Sequence, residues 1–275
     1  MRNVLPAVIV AAALVAVAGC ELGTDVDVPD TLNFDAAVVA ADGTLEDLQM
    51  MHGPRLGLPG IVFPSLDGNR PNCPTADDVF FCSPIERDGL TYTREVTYFD
   101  ASWGTQDAYE EGVTASIQYR ITVEGEIGRN WWDASIFRDR DLTVTGLPLT
   151  GVEDDGLVTW SGTGIGNIER SRHTDGGGLR SYDLESDFQI NDVVIPYPRT
   201  EHGWPESGNI VRNMTITRTT GSGETETRTV TVTITFEGEQ LATVTVGDET
   251  YTIDLSERAF GPGKMHRHRD GRGFN

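Results

Sequence analysis

Two segments of this chain alternate apolar and polar residues with a period of two, and this pattern constrains the fold more than any other feature. From Val113 to Glu124 every second residue is apolar, and from Thr229 to Phe236 threonine alternates with valine, isoleucine and phenylalanine. Successive side chains of a β-strand point to opposite faces of the sheet. Both segments are therefore predicted as strands with one buried and one solvated face.

Further strands are predicted where short apolar or alternating runs lie between turn residues. Gly238-Glu239 and Gly247-Asp248 are placed as tight hairpin turns in the C-terminal third. Helices do not alternate with the strands as a parallel sheet requires, so the pattern predicts an all-β antiparallel meander of roughly ten strands. The other predicted strands are Leu90 to Phe99, Trp131 to Phe137, Asp141 to Leu147, Leu157 to Arg170, Leu179 to Ile190, Asn209 to Thr219, Leu241 to Val246 and Thr250 to Leu255.

A meander with one apolar face must keep that face out of water. The sheet can curve around other parts of the chain, close into a barrel or stack as a sandwich. The sequence leaves these three architectures open.

One short helix is predicted before the strands, between Leu32 and Met51. Asp42-Gly43-Thr44 is interpreted as its start, because Leu45, Leu48 and Met51 then recur at helical spacing. The segment from Gly53 to Pro84 is rich in glycine and proline and is predicted as a looped segment.

The composition is strongly acidic, with 43 Asp and Glu against 21 Lys and Arg and a formal charge of −22. Binding of nucleic acid or of anionic lipid depends on many Lys and Arg contacts, so these partners are disfavoured. The basic tail, 259–275, reverses the charge and is predicted to be disordered. Its two histidines, His266 and His268, are too few to predict a metal, and no cofactor is expected.

The N-terminus is predicted to be an export signal. An apolar run from Val4 to Gly19 follows Arg2 and is shorter than the roughly 18 to 20 residues that span a bilayer as a helix. Its end, Val17-Ala18-Gly19-Cys20, resembles the lipobox of bacterial lipoprotein signal peptides. The alternative interpretation is an uncleaved membrane helix or a buried core segment.

The lipobox resemblance implies that Cys20 is the lipid attachment residue, that it carries diacylglyceryl and acyl chains such as palmitate, and that it begins the mature chain. Two or more acyl chains anchor a protein stably to a membrane. The protein is then held at the cell envelope, and Glu21 after the anchor favours the outer membrane over the inner one. The expected segments are the signal peptide (1–19), a lipidated acidic tether (20–31), the short helix and looped segment (32–89), the antiparallel β domain (90–258) and the basic tail (259–275).

Cys73 and Cys82 remain as an even pair if Cys20 is lipidated. In an oxidising compartment the expectation is a structural disulfide between them. A metal or redox pair is the alternative, but the spacing is not C-x-x-C and no histidine lies between the two cysteines.

No catalytic motif is complete in this chain. The run Gly162 to Gly166 is not a phosphate loop and is interpreted as a bulged strand. Ser207 is interpreted as part of a turn into a strand rather than as a nucleophile. Adjacent strand residues point to opposite faces, so of Trp131 and Trp132 one is expected to be exposed and is the predicted ligand contact.

From Leu90 to Leu255 the chain is similar to a group of uncharacterised bacterial lipoproteins that share a Trp-Pro-x-Ser-Gly turn before Thr/Val-alternating strands, here Trp204 to Gly208. That resemblance implies no activity. Three hypotheses follow: a non-enzymatic structural or binding module with an unknown protein partner, a carrier of an apolar ligand in a curved sheet, and a glycan-active enzyme. The inner face of the sheet should be packed in the first case, hollow and apolar in the second, and open and acidic in the third.

Overall fold

A computed structural model describes residues 32–51, 75–76, 79–87, 89–110, 112–129, 132–147, 156–173, 179–197, 203–256 and 266–267. It contains one helix, α1 (Leu32–Met51), and a sheet whose members include ten strands longer than two residues. The strands are β1 (Thr75–Ala76), β2 (Val79–Arg87), β3 (Leu90–Asp100), β4 (Thr105–Gln106), β5 (Thr114–Arg129), β6 (Trp132–Thr145), β7 (Gly156–His173), β8 (Leu179–Tyr197), β9 (Ser207–Thr219), β10 (Thr225–Thr235), β11 (Leu241–Val246), β12 (Glu249–Asp254) and β13 (His266–Arg267).

The sheet is an antiparallel meander, as the alternation predicts. Each strand pairs with its neighbours in chain order, except that the short β4 pairs only with β3, so that β5 lies beside β3. The order runs from β1 to β13 without the two ends of the described sheet pairing, so the sheet is not closed into a barrel. The all-β prediction is therefore confirmed, and of the three predicted architectures the curved sheet and the sandwich fit.

Helix α1 packs on the inner face of the sheet at β9 to β12. In several long strands alternate residues are buried on this face. On β5 these are Ile117, Tyr119, Ile121 and Val123, all buried. Threonine dominates the outer face of β9 and β10, where Thr217 and other threonines form hydroxyl pairs across the two strands. β-branched residues suit such a solvated pleated face.

The helix begins at Leu32, so the predicted start at Asp42-Gly43-Thr44 is wrong. The first half of α1 is rich in alanine, the best helix former, and its Ala36, Ala37 and Ala41 are fully buried. A helix that is apolar on most sides is stable only inside a core. The sheet therefore extends the helix beyond the part that the local signals predicted.

Two strand boundaries also differ from prediction. The segments predicted separately as Trp131 to Phe137 and Asp141 to Leu147 form the single strand β6, which runs through Arg138 and Arg140. The looped segment predicted to end at Pro84 ends earlier, because β2 begins at Val79 and pairs with β3 despite an irregularity after Cys82.

Two turn interpretations are confirmed. The register of β7 against β8 shifts between Trp160 and Gly162, which is the predicted bulge in the glycine-rich run. The residues before Ser207 form an irregular segment, and β9 begins at Ser207 itself.

Candidate functional site

Five charged side chains meet between α1 and the inner face of the sheet. We call them the arginine–carboxylate cluster: Glu46 and Asp47 of α1, Arg138 and Arg140 of β6, and Arg212 of β9. The Asp47 side chain is fully buried, and the side chains of Arg140 and Arg212 keep 2% and 8% of their exposure. Charged groups are rarely buried to this degree, and then only when paired.

Asp47 joins two strands that lie three positions apart in the sheet. The Nε of Arg140 donates a hydrogen bond of 2.8 Å to Oδ1 of Asp47, and a terminal nitrogen of Arg212 donates to Oδ2. Glu46, one residue earlier, contacts Arg138 and lies 3.6 Å from Arg140. Two adjacent carboxylates of α1 therefore bind the helix to both β6 and β9.

The strand register places the two arginines on either side of an aromatic ring. In one row across the sheet, Arg140 is opposite Gly164, Gly164 is opposite Phe188, and Phe188 is opposite Arg212. The guanidinium carbons of Arg212 and Arg140 lie 4.7 Å and 5.9 Å from the centroid of the Phe188 ring. Both distances lie within the range of a cation–π contact, so the ring offsets part of the cost of burying the two cations.

Gly164 makes this arrangement possible. A Cβ at this position would lie 2.4 Å from a carbon of the Phe188 ring and 2.5 Å from the carbonyl oxygen of Asp139. Only a residue without a side chain leaves room for the ring. The glycine-rich run therefore has a packing role in this fold.

The electrostatics of the cluster are dominated by burial and by repulsion between like charges. Burial lowers the pKa of the Arg138 guanidinium well below its ordinary value, and the charges of Arg140 and Arg212 lower this pKa further, against the opposing effect of Asp42. Burial also lowers the pKa of Arg212, and Arg140 adds to this, while Asp47 opposes it. Burial and the neighbouring cations thus both disfavour the charged forms of Arg138 and Arg212.

The partly exposed side of α1 also faces arginines. Asp35 lies 3.3 Å from Arg218 of β9, and Asp42 lies 3.9 Å from Arg170 of β7. Asp35, Asp42 and Glu46 occupy one stripe of the helix, because residues seven and eleven positions apart return to the same side. An acidic stripe of the helix therefore lies along basic positions of the inner face.

A small, partly open cavity adjoins the cluster. Its volume is about 20 Å³, and its lining includes Gly43, Ser186 and the three arginines of the cluster. This is room for one species of the size of a water molecule.

A larger groove lies open to solvent at one end of the sheet. Its volume is about 700 Å³, which is within the range of small-molecule sites. Strands β5 to β9 contribute its lining, which is polar and apolar in about equal parts and includes Glu126, Asp133, Glu169, Arg170, Tyr182 and Asp183.

The structure brings few of the sequence-predicted site residues together. Trp132 is the first residue of β6 and precedes Asp133 of the groove, whereas Trp131 lies outside the described residues. Cys20 and Cys73 also lie outside the described residues, and Cys82 lies on β2. Lipid attachment and the pairing of Cys73 with Cys82 therefore stay predictions.

An exposed tryptophan was missed by the sequence analysis. Trp103 is 64% exposed and has a φ of 64°, an uncommon backbone conformation for a bulky residue. Asp100 holds this turn by accepting hydrogen bonds from Ser102 and from the backbone of Gly104, and these bonds lower the pKa of its carboxyl group. Strained residues of this kind concentrate at functional sites, so Trp103 joins the candidate contact residues.

The arginine–carboxylate cluster was also missed, although the sequence contains a signal for it. Arg138 and Arg140 are predicted on the same side of their strand as Leu142 and Val144, and Arg212 on the same side as Ile210, because residues two positions apart share a side. A charged residue on the apolar side of an alternating strand must be paired or solvated. The pairing partners lie in α1, about 90 to 165 residues away in sequence, so sequence spacing could not reveal them.

Within the described residues, no three His, Cys, Asp or Glu side chains are arranged to hold a metal ion. The one helix in this part of the chain lacks the apolar length needed to cross a bilayer. The cluster is suited to binding charge in a desolvated place, and the groove to binding a polar ligand at the surface.

No protein-family model, no curated protein and no solved structure matches this chain.

Proposed function

We propose that this chain is a lipid-anchored protein of the cell envelope whose β domain is a non-enzymatic structural or binding module. The observation that carries the proposal is the filled inner face of the sheet. Helix α1 packs on β9 to β12, Trp160 and Tyr119 are buried in the same core, and the space next to the cluster has a volume of only about 20 Å³. Among the three hypotheses, a packed inner face favours the module.

A carrier of an apolar ligand would need an apolar cavity of ligand size inside the sheet. Here α1 lies in the place where such a ligand would sit. We expect native mass spectrometry of the purified protein to show the mass of the chain with its covalent anchor and no further lipid. A stoichiometric, non-covalent lipid would contradict the filled inner face and would favour the carrier.

The second candidate function is binding of a glycan in the open groove, and the groove itself is the observation that favours it. Carboxylates such as Asp133 and Asp183 accept hydrogen bonds from hydroxyl groups, and the ring of Tyr182 offers an apolar face. Titration calorimetry with soluble peptidoglycan fragments tests this candidate. Binding that weakens at least tenfold in Tyr182→Ala supports it, and absence of heat in the unaltered chain contradicts it.

The membrane anchor is tested at Cys20. We expect Cys20→Ser to move the protein from the membrane fraction to the soluble fraction, because the serine hydroxyl cannot accept the thioether-linked lipid and an unacylated acidic chain has little affinity for bilayers. The measurement is immunodetection in membrane and soluble fractions and in the detergent phase of a detergent–water partition.

Cys82→Ser is the matched control, because it removes a thiol and leaves the lipobox intact. This variant should stay in the membrane fraction. Unchanged membrane association of Cys20→Ser would refute the anchor and leave the β domain without the proposed location.

A further inference from the structure

The cavity beside the arginine–carboxylate cluster is small and partly open. At about 20 Å³ it has room for one species of about the size of a water molecule. Its lining residues include Arg138, Arg140 and Arg212. Arginine side chains carry donors and no acceptors, so any occupant must accept hydrogen bonds.

One of these donors lacks a protein acceptor. The Nε of Arg212 is buried, and the described residues offer it no hydrogen-bond partner. The hydroxyl of Ser186 donates to the carbonyl oxygen of Gly166 at 3.2 Å, so its hydrogen points to the backbone. A buried donor without a partner is costly, and such groups in native proteins are usually satisfied by water or by an ion.

The cluster also carries an excess of positive charge. Three guanidinium groups are in direct ionic contact with two carboxylates, Glu46 and Asp47, which leaves one positive charge over among these contacts. The other acidic residues of the α1 stripe contact arginines outside the cavity lining, Asp42 with Arg170 and Asp35 with Arg218, and Asp42 compensates Arg138 only from a greater distance. Burial of an uncompensated charge is expensive, and a neutral water molecule in the cavity would not balance it.

We propose that this cavity is a binding site for a small monovalent anion of the halide class, held by Arg138, Arg140 and Arg212. The anion accepts hydrogen bonds from the guanidinium groups and balances the excess charge. It thereby becomes part of the joint between α1 and the sheet. Because this joint exists only in the folded chain, the bound anion stabilises folding by mass action.

The test compares urea unfolding of the purified full chain in sodium chloride and in sodium gluconate at equal ionic strength. Gluconate is too large for the cavity, and equal ionic strength makes general screening the same in both series. We expect the unfolding midpoint to rise with chloride, and to rise linearly with the logarithm of the chloride concentration once the site is mostly filled. At a chloride concentration one hundred times the dissociation constant, the ratio of folded to unfolded chain should rise about 100-fold.

Two variants remove the site in different ways. Arg138→Gln removes the excess charge, because two guanidinium groups then face two carboxylates. Gly166→Ala adds a methyl group to the cavity lining with contacts of 3.4 Å to the Ser186 hydroxyl and 3.5 Å to Arg138, which the site accommodates. For each variant, the urea midpoint in chloride should equal the midpoint in gluconate. If Arg138→Gln does not fold, the result for Gly166→Ala alone tests the site.

Arg218→Gln is the matched control, because it removes one positive charge near α1 but outside the cavity lining. This variant should keep the full chloride effect. Crystals of the unaltered chain grown in bromide should show an anomalous scattering peak in the cavity. Equal midpoints in chloride and gluconate for the unaltered chain would mean that the cavity holds only water and would overturn the proposal. Loss of the chloride effect in Arg218→Gln would also overturn it, because the effect would then arise from the general field of the inner face.

Discussion

Replacing Asp47 with alanine is expected to lower the free energy of unfolding by about 3–5 kcal/mol. The substitution leaves the guanidinium groups of Arg140 and Arg212 buried without the carboxylate that both contact. Truncation of one partner of a buried charge pair costs this much because the desolvated charge of the other partner stays behind. Urea unfolding followed by circular dichroism measures the loss.

Asp141→Ala is the matched control for this prediction. Asp141 lies 3.4 Å from Arg120, but both side chains are exposed, at 43% and 63%. Exposed ion pairs contribute about 0–1 kcal/mol, so this variant should lose less than about 1 kcal/mol. A loss for Asp47→Ala that is as small as the loss for Asp141→Ala would show that water reaches the cluster and that α1 is held by apolar contacts alone.

Replacing Gly164 with alanine is expected to lower the free energy of unfolding by about 1–3 kcal/mol, the usual cost of overpacking a core. The new Cβ would meet both the Phe188 ring and the carbonyl oxygen of Asp139 well inside van der Waals distance. The ring can rotate aside, but the backbone oxygen belongs to the β6 ladder and cannot move without opening it. The ring would also leave its position between Arg140 and Arg212.

Gly166→Ala is the matched control, on the same strand and on the same side of it. Its Cβ would meet its nearest neighbours at 3.4–3.6 Å, which is ordinary contact. With sodium gluconate in place of chloride, so that no bound halide contributes, we expect a change below about 1 kcal/mol, within the range of strand propensities. Equal losses in the two variants would contradict the packing role assigned to Gly164, because strand flexibility rather than the ring would then explain both.

The sequence predicted the strands well where apolar and polar residues alternate without interruption. The segment from Val113 to Glu124 is part of β5, and the Thr/Val segment is part of β10. Alternation reports burial on one face, which is a local property of a strand. The same logic divided β6 in two, because Arg138 and Arg140 interrupt its apolar side.

The interruption in β6 coincides with the candidate site. Those arginines are on the inner face because carboxylates of α1 meet them there. Rules based on local patterns predict that a charged residue is exposed to solvent. A charged residue can be buried only when an oppositely charged partner, here distant in sequence, lies beside it. The prediction of β6 as two strands was therefore wrong at the position where charged residues are buried.

The helix shows the same limit in another form. Gly43 lies in the middle of α1, where glycine costs roughly 1 kcal/mol relative to alanine, so the sequence favoured a helix boundary near it. In the fold, the Arg212 guanidinium lies against this glycine, and a Cβ would be 3.3 Å from its central carbon. The glycine is therefore explained by a contact with β9 and not by the end of a helix.

The sequence by itself determined the all-β class and the antiparallel connectivity, because periodicity is a property of neighbouring residues, while the membrane anchor at Cys20 stays a prediction. Only the tertiary structure decided that the sheet is open and that α1 packs on its inner face. It also decided that Asp47 and Glu46 meet Arg138, Arg140 and Arg212 around a small cavity. Those features depend on which residues the curvature of the sheet brings together across most of the chain, and no local pattern contains that information.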